Sequence, residues 1–555
     1  MKTIKLILTI IIVGLTTQAF AQPQKARNAT FKLVTYKANG EKIATTEGVF
    51  ISKDGIALGA WNPFKGAAKA EISDSKGKTY TVSCIYGANE LYNVAKFKVA
   101  NINDATPISL ATTPAKPQTP VWVMSQTPQK TVVSSTETFL NKYTYTILEG
   151  LTNKDISTNP DNYNGSAVVN EKGELIGLYN FSSSAQSATD ARYADAFQTN
   201  ALSFNDVTLR QTYIRIAIPS ELKDAQVYLM FAQDKGGDYY QDCAQDFIHQ
   251  FPANNDGYYA LAMALTSKAK YAEANAIMQK SIQNSKDKAE AHYNFSRLIQ
   301  NYLNYIEPTD TNPNSFKEWN WEKAMEETDN AIKLNSSPLY QQQRGEILYG
   351  QKKYQEAYDQ FIALTKQPQH SGELFYKAFL AKNYLNASQN ELISLLDSAI
   401  AISDTVIAAP YFYARALLYE QEGKYREALK DYIVYGNVNF SQLNGNFYFQ
   451  RYQCERKGKF YQLALQDIAH AVFLDINNAD YWAELASLNL QLKKLDEAEK
   501  AADGCLKADH NHPEGLLIKG IIQCENHQKE EGLKNIQQAK EVGNTHAESF
   551  LEKYK

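Results

Sequence analysis

One small motif recurs down the second half of the chain at a nearly constant interval. Gly423-Lys424-Tyr425-Arg426-Glu427-Ala428 is echoed by Ala269-Lys270-Tyr271-Ala272-Glu273-Ala274, Lys352-Lys353-Tyr354-Gln355-Glu356-Ala357 and Lys493-Lys494-Leu495-Asp496-Glu497-Ala498. The matching final positions are Ala274, Ala324, Ala357, Leu392, Ala428, Ala464, Ala498 and Gly532. Their spacing is 33 to 36 residues, apart from one interval of 50 between Ala274 and Ala324. Such a period holds two helices and their turns, and each pair buries its apolar face only by stacking on the next. Residues 254–555 are therefore expected to form about eight helical pairs. The long interval implies an insertion near 304–319, rich in Asn, Pro and Thr, expected as a surface loop.

These turns resemble the GxYxEA turn of tetratricopeptide (TPR) repeats. Trp482 takes the aromatic slot of the first helix, and Gly345 and Gly520 the close-contact glycine. Ala331, Ala399, Ala471 and Ala539 take the small residue of the second helix. The resemblance implies an all-α superhelix whose first helices line a concave side. Projecting the family's groove positions gives Tyr259, Met263, Tyr293, Arg297, Tyr349, Tyr413, Tyr448 and Tyr452 as a peptide-binding groove. Amphipathic aromatics with occasional Arg suit extended peptides. The competing reading is that some of these tyrosines pack between repeats. Residues 220–253 read as a linking helical pair, and 546–554 as a capping helix.

The preceding part, residues 25–219, has a different rhythm. Short apolar stretches occur at 31–36, 48–52, 79–85, 94–99, 120–124, 143–148, 167–170 and 175–179. Asn39-Gly40, Asp54-Gly55, Lys76-Gly77 and Lys172-Gly173 sit between them as hairpin turns. Many short strands with regular turns imply an all-β barrel or sandwich.

Asn162-Tyr163-Asn164-Gly165-Ser166-Ala167-Val168-Val169-Asn170, continuing to Gly177, resembles the nucleophile loop of trypsin-like serine proteases of the HtrA type. Glu47-Gly48-Val49-Phe50-Ile51-Ser52-Lys53-Asp54-Gly55 resembles an earlier segment of that family, residues 78–99 a later one, and Tyr213 to Pro219 the strand closing the second barrel. The resemblance implies an N-terminal trypsin-like double barrel. It places the catalytic His, Asp and Ser positions on Asn62, Asn93 and Asn164, a degenerate triad. No histidine precedes His249, and a triad needs a base such as imidazole near neutral pH. Two escapes remain open: Ser166 acting with a lysine, or a histidine arriving from the helices. Backbone amides near Asn164 are also expected to make a small nest able to hold a carbonyl or carboxylate.

Residues 1–21 read as a signal peptide, with Lys2 and Lys5, an apolar stretch and Ala19-Phe20-Ala21 as cleavage site. Export to periplasm or medium, as a soluble chain without membrane insertion, is the expectation. A net charge of −4 gives no pull toward nucleic acid. Five scattered cysteines without CxxC spacing are expected free and buried, with no cofactor and no metal. His510 and His512, lacking a third ligand, read as solvated turn residues. The leading functional expectation is a non-catalytic scaffold or adaptor binding proteins or extended peptides. The alternatives are a serine-type endopeptidase with an unusual catalytic arrangement, and a barrel that only caps the helical array.

Overall fold

A computed structural model describes residues 26–125, 128–140, 142–151, 160–182, 185–306, 315–368 and 370–555. The expected signal peptide and residues 307–314 of the expected insertion lie outside them. The chain divides into two compact units, residues 1–317 and 318–555.

The first unit opens with two closed barrels of six strands. Strands β1 (Thr30–Tyr36), β2 (Lys42–Phe50), β3 (Ile56–Gly59), β4 (Lys69–Asp74), β5 (Thr79–Asn89) and β6 (Val94–Val99) close in the order β1-β2-β3-β6-β5-β4. Strands β7 (Pro120–Met124), β8 (Gln129–Phe139), β9 (Tyr143–Glu149), β10 (Ala167–Val169), β11 (Leu175–Ser182) and β12 (Ala185–Asp190) close as β10-β11-β12-β9-β8-β7, the same topology repeated. Burial alternates along strands such as β1 and β9, whose inner face fills a barrel, whereas β10 and the first part of β11 are buried on both faces. Leu33, Ile72, Ile85 and Phe97 fill the first; Val121, Val133, Leu148 and Val168 fill the second. A third buried cluster lies between the barrels and includes Val49, Leu58, Val94, Met124, Val169 and Leu178. Closure pairs every strand with two neighbours, so neither barrel presents a free strand edge.

One sequence expectation is corrected here. Residues 213–219 do not close the second barrel, because β12 already pairs with both β11 and β9. They lie instead on β5 of the first barrel, where the Ile85 N–H donates to Arg215 O and the Ala217 N–H donates to Ile85 O, both at 2.8 Å. The register of β5 shifts between Ile85 and Gly87, which frees the backbone of Ile85 for this contact. The helices that follow fasten to the same segment. Arg215 pairs with Asp246, and the Tyr228 hydroxyl donates to Ile216 O at 2.8 Å.

The first unit continues with α1 (Leu222–Lys235), α2 (Gly237–Gln250), α3 (Asn255–Ser267), α4 (Tyr271–Asn284) and α5 (Lys288–Tyr305). The second holds α6 (Trp321–Leu334), α7 (Pro338–Gly350), α8 (Tyr354–Thr365), α9 (Gly372–Tyr384), α10 (Gln389–Ala401), α11 (Thr405–Gln421) and α12 (Tyr425–Val438). It ends with α13 (Gly445–Lys457), α14 (Tyr461–Leu474), α15 (Ala479–Gln491), α16 (Leu495–Ala508), α17 (Pro513–Glu525), α18 (Lys529–Glu541) and α19 (Ala547–Tyr554). Trp319, at the edge of the expected surface insertion, is fully buried rather than exposed.

The sequence repeat maps onto one helical register. Ala274, Ala324, Ala357, Leu392, Ala428, Ala464, Ala498 and Gly532 are each the fourth residue of their helix, and each is buried. Ala331, Ala399, Ala471 and Ala539 are each the eleventh, and each is fully buried. Two turns separate fourth from eleventh, so both fall on one face and let the neighbouring helix approach. Polar ties repeat as well. Arg415 on α11 forks onto Asp431 of α12 with two contacts of 2.8 Å, and Arg451 on α13 forks onto Asp467 of α14 at 2.6 and 2.8 Å. Such bidentate pairs fix the spacing of two helices as well as their charge.

The turns between paired helices share a strained residue. Ala269, Lys352, Asn386, Gly423, Lys459, Lys493 and His527 all have φ between 54° and 73°, and one of them is glycine. A residue with a Cβ pays roughly 1–2 kcal/mol in that conformation. Lys493 is exposed and its side chain makes no ion pair among the described residues. Lys493→Gly is therefore expected to raise stability by roughly 0.5–1 kcal/mol after the larger unfolded-state entropy of glycine is subtracted. Chemical denaturation would show this as a higher midpoint, with Lys500→Gly, inside α16, lowering it by about 1 kcal/mol. Equal losses at both positions would contradict the assignment.

Candidate functional site

The three asparagines meet where the barrels face one another. Asn62 begins a short 3-10 turn after β3, Asn93 sits in the turn between β5 and β6, and Asn164 precedes β10. Asn93 takes a left-handed backbone, φ 48°, which asparagine tolerates better than most residues. That turn aims its side chain inward. Asn93 Oδ1 accepts from the Asn62 N–H at 2.8 Å, and Asn93 Nδ2 donates to Asn180 Oδ1 at 2.9 Å. The next residue along β11, Phe181, donates its N–H to Asn164 Oδ1 at 2.7 Å. Asn93 and Asn164 are buried, whereas the Asn62 side chain is exposed and joins through its backbone. Amides serve here as paired donors and acceptors that hold loops to β11.

Beside them lies a pair the motifs do not announce. The Ser166 hydroxyl donates to Glu47 Oε2 at 2.9 Å, and Ser166 has no solvent-exposed surface. Glu47 belongs to β2 of the first barrel and Ser166 to the loop entering the second. Burial pushes the Glu47 carboxyl up to about 7, against the opposing pull of the Ser166 hydrogen bond and of Lys32. The approach depends on Gly165, whose φ is +89° and whose missing Cβ would lie 2.4 Å from Glu47 O and 2.8 Å from Ala60 N. The Gly165 N–H donates to Tyr179 O at 2.8 Å and the Ser166 N–H to Tyr163 O at 2.9 Å. These two amides are thus satisfied within the fold and do not form the expected nest.

Residues 46–178 match the trypsin-like peptidase domain family. The matched span runs from within β2 to within β11 and contains Glu47, the asparagines at 62, 93 and 164, and Ser166. Together with the paired six-stranded barrels, it makes this region a trypsin-like domain in fold. A solved structure described as "HtrA-type protease AlgW with tripeptide" is also similar, at 19% identity and a TM-score of 0.27, over 32% of this chain and 61% of that one. No curated protein matches the chain. The trypsin-like domain is followed by helices in a TPR-like arrangement.

In the helices of the first unit, Arg297 lies with its guanidinium carbon 5.5 Å from the ring centres of both Tyr259 and Tyr293, and all three, with Met263, are half-buried. In the second unit, Tyr349 packs on Tyr354 and Tyr384, and Tyr413 on Tyr432 and Tyr435. Tyr448 and Tyr452 are only 6% and 1% exposed and belong to a buried cluster with Phe447, Ile468 and Leu488. They are core residues rather than groove walls. The open face of α13 runs instead through Asn446, Phe449 and Arg456. A helix turns about 100° per residue, so a shift of one position carries Tyr448 inward and Phe449 outward. His512, expected solvated, caps α17 by accepting from the Gly515 N–H at 3.2 Å and pairs with Asp480 at 3.0 Å. Cys84, Cys243, Cys454 and Cys505 are buried free thiols, and Cys524 is half-buried.

The Glu47 carboxyl gives a pH test. Below about pH 4.5 it is protonated in folded and unfolded chains alike. As pH rises the unfolded chain ionises first and the folded chain only near 7, so stability is lost across that interval and stays lost above it. The loss corresponds to roughly 3 kcal/mol. Glu47→Gln keeps an acceptor for Ser166 without the charge. It is expected to melt several degrees higher than the parent at pH 8 and at the same temperature at about pH 3.5, below the unfolded-state value; an equal shift at both would contradict the burial argument.

Proposed function

We propose that this chain is an exported, non-catalytic scaffold or adaptor, in which the trypsin-like domain keeps the shape of a protease and the helices hold protein or peptide partners. The observation that carries the reading is the role of Asn164. At the position the resemblance gives to the attacking serine stands an amide, which has no usable nucleophilic oxygen, and its oxygen is committed to the Phe181 N–H. No histidine precedes His249, so the barrels themselves carry no imidazole to act as base. Asn93, at the position of the orienting carboxylate, serves the backbone of Asn62. The signal-like residues 1–21 support export. Among the described residues, no helix is long and apolar enough to cross a membrane.

A second reading has one specific observation in its favour. Ser166 and Glu47 form a hydroxyl–carboxyl pair whose base titrates near 7, the range a general base needs. Against it stands access: a serine without exposed surface cannot meet a peptide carbonyl. A serine-directed fluorophosphonate probe separates the two. The mature chain is expected to show no labelling above a heat-denatured control. Labelling that disappears in Ser166→Ala would establish the endopeptidase reading and overturn the scaffold.

A further inference from the structure

In the second unit a groove of about 620 Å³ opens across α13, α15 and the start of α17. Its aromatic wall is the half-buried Phe449, backed by the buried Tyr481 ring with ring centres 5.0 Å apart. Its carboxylates are Asp480, Glu484 and Glu514, and its bases are the Arg456 guanidinium and the His512 imidazole.

The guanidinium is already spoken for. Arg456 is ion-paired with Glu484, contacts the Tyr452 hydroxyl at 3.0 Å and reaches Ser487 Oγ at 3.3 Å. Its charge cancels that of Glu484 and its donors point into the wall. Asp480 and Glu514 are left in excess. Asp480 has a side chain 81% exposed, held by His512. Glu514 accepts from Asn544 Nδ2 at 2.9 Å. Among the described residues neither pairs with a lysine or arginine. The nearby Lys519 is occupied by Glu499 and Asp503.

We infer that this groove binds an extended peptide segment through a lysine or arginine side chain. This rests on the reading of the helical array as a peptide-binding surface and names the chemistry of the ligand. The aliphatic stem of such a side chain lies along Phe449, and its cationic head reaches Asp480 and Glu514. An acidic peptide would meet two carboxylates that, among the described residues, no lysine or arginine pairs with, so the groove discriminates by repulsion as well as attraction.

The test uses the mature full-length chain and three fluorescent peptides of about nine residues, alternating serine with lysine, glutamate or glutamine, read by fluorescence polarisation. Asp480→Asn combined with Glu514→Gln removes the excess charge, and circular dichroism and thermal melting check that the variant is folded. The expected result is binding of the lysine peptide, weakened by about tenfold in the double variant and by added salt. Binding of the glutamine or glutamate peptide as tightly as the lysine peptide would overturn the cationic assignment while leaving peptide binding intact. Lysine-peptide binding unchanged in the double variant would overturn the site. Binding of no peptide would overturn both this inference and the peptide-binding reading beneath it.

Discussion

Gly165 carries the loop before β10 so near β2 that no side chain fits between them. A Cβ there would sit 2.4 Å from the Glu47 carbonyl oxygen, well inside contact distance. The left-handed backbone that glycine alone adopts freely turns the chain at the same point. From this approach the rest of the site follows. Ser166 reaches the Glu47 carboxyl, the Glu47 N–H lies 3.4 Å from Asn164 O, and the Asn164 side chain is left facing β11. A loop that in a protease of this fold must hold a reactive oxygen open to solvent is here closed on itself by hydrogen bonds between two barrels.

The helical part meets a related constraint by repetition. Buried residues at the fourth and eleventh positions, nearly all of them small, set how near paired helices come, and in α11–α12 and α13–α14 an Arg–Asp fork locks them there. Gly345 shows how little room remains, since a Cβ on it would lie 2.6 Å from the Phe361 ring. Because each pair needs its neighbour, the surface left over is the one its first helices turn outward. In α13, α15 and α17 that surface gathers carboxylates and aromatic rings into one groove.

Much of this was legible in the residues. The period near 34 marked where each second helix begins, because its fourth position is buried against a neighbouring helix and, apart from Leu392, is small. The glycine turns placed the hairpins, and motif spacing placed Asn62, Asn93 and Asn164 in facing loops. What the sequence did not yield depends on direction rather than spacing. Tyr448 and Phe449 are adjacent aromatics, and nothing in their order tells which faces inward. Glu47 gave one signal, a charged residue beside buried Val49 and Phe50, but its partner lies 119 residues away. Residues 213–219 carried a strand-like motif, yet their place on β5 is set by the register shift near Ile85, which no local pattern encodes.

The most direct measurement is proteolysis itself: release of fluorescent fragments from labelled casein by the purified chain and by Ser166→Ala, from pH 5 to pH 9. The predicted result is background release from both at every pH, since a sealed Ser166 and the amide of Asn164 offer no nucleophile. Release that rises through pH 7, as Glu47 ionises, and vanishes in Ser166→Ala would contradict it.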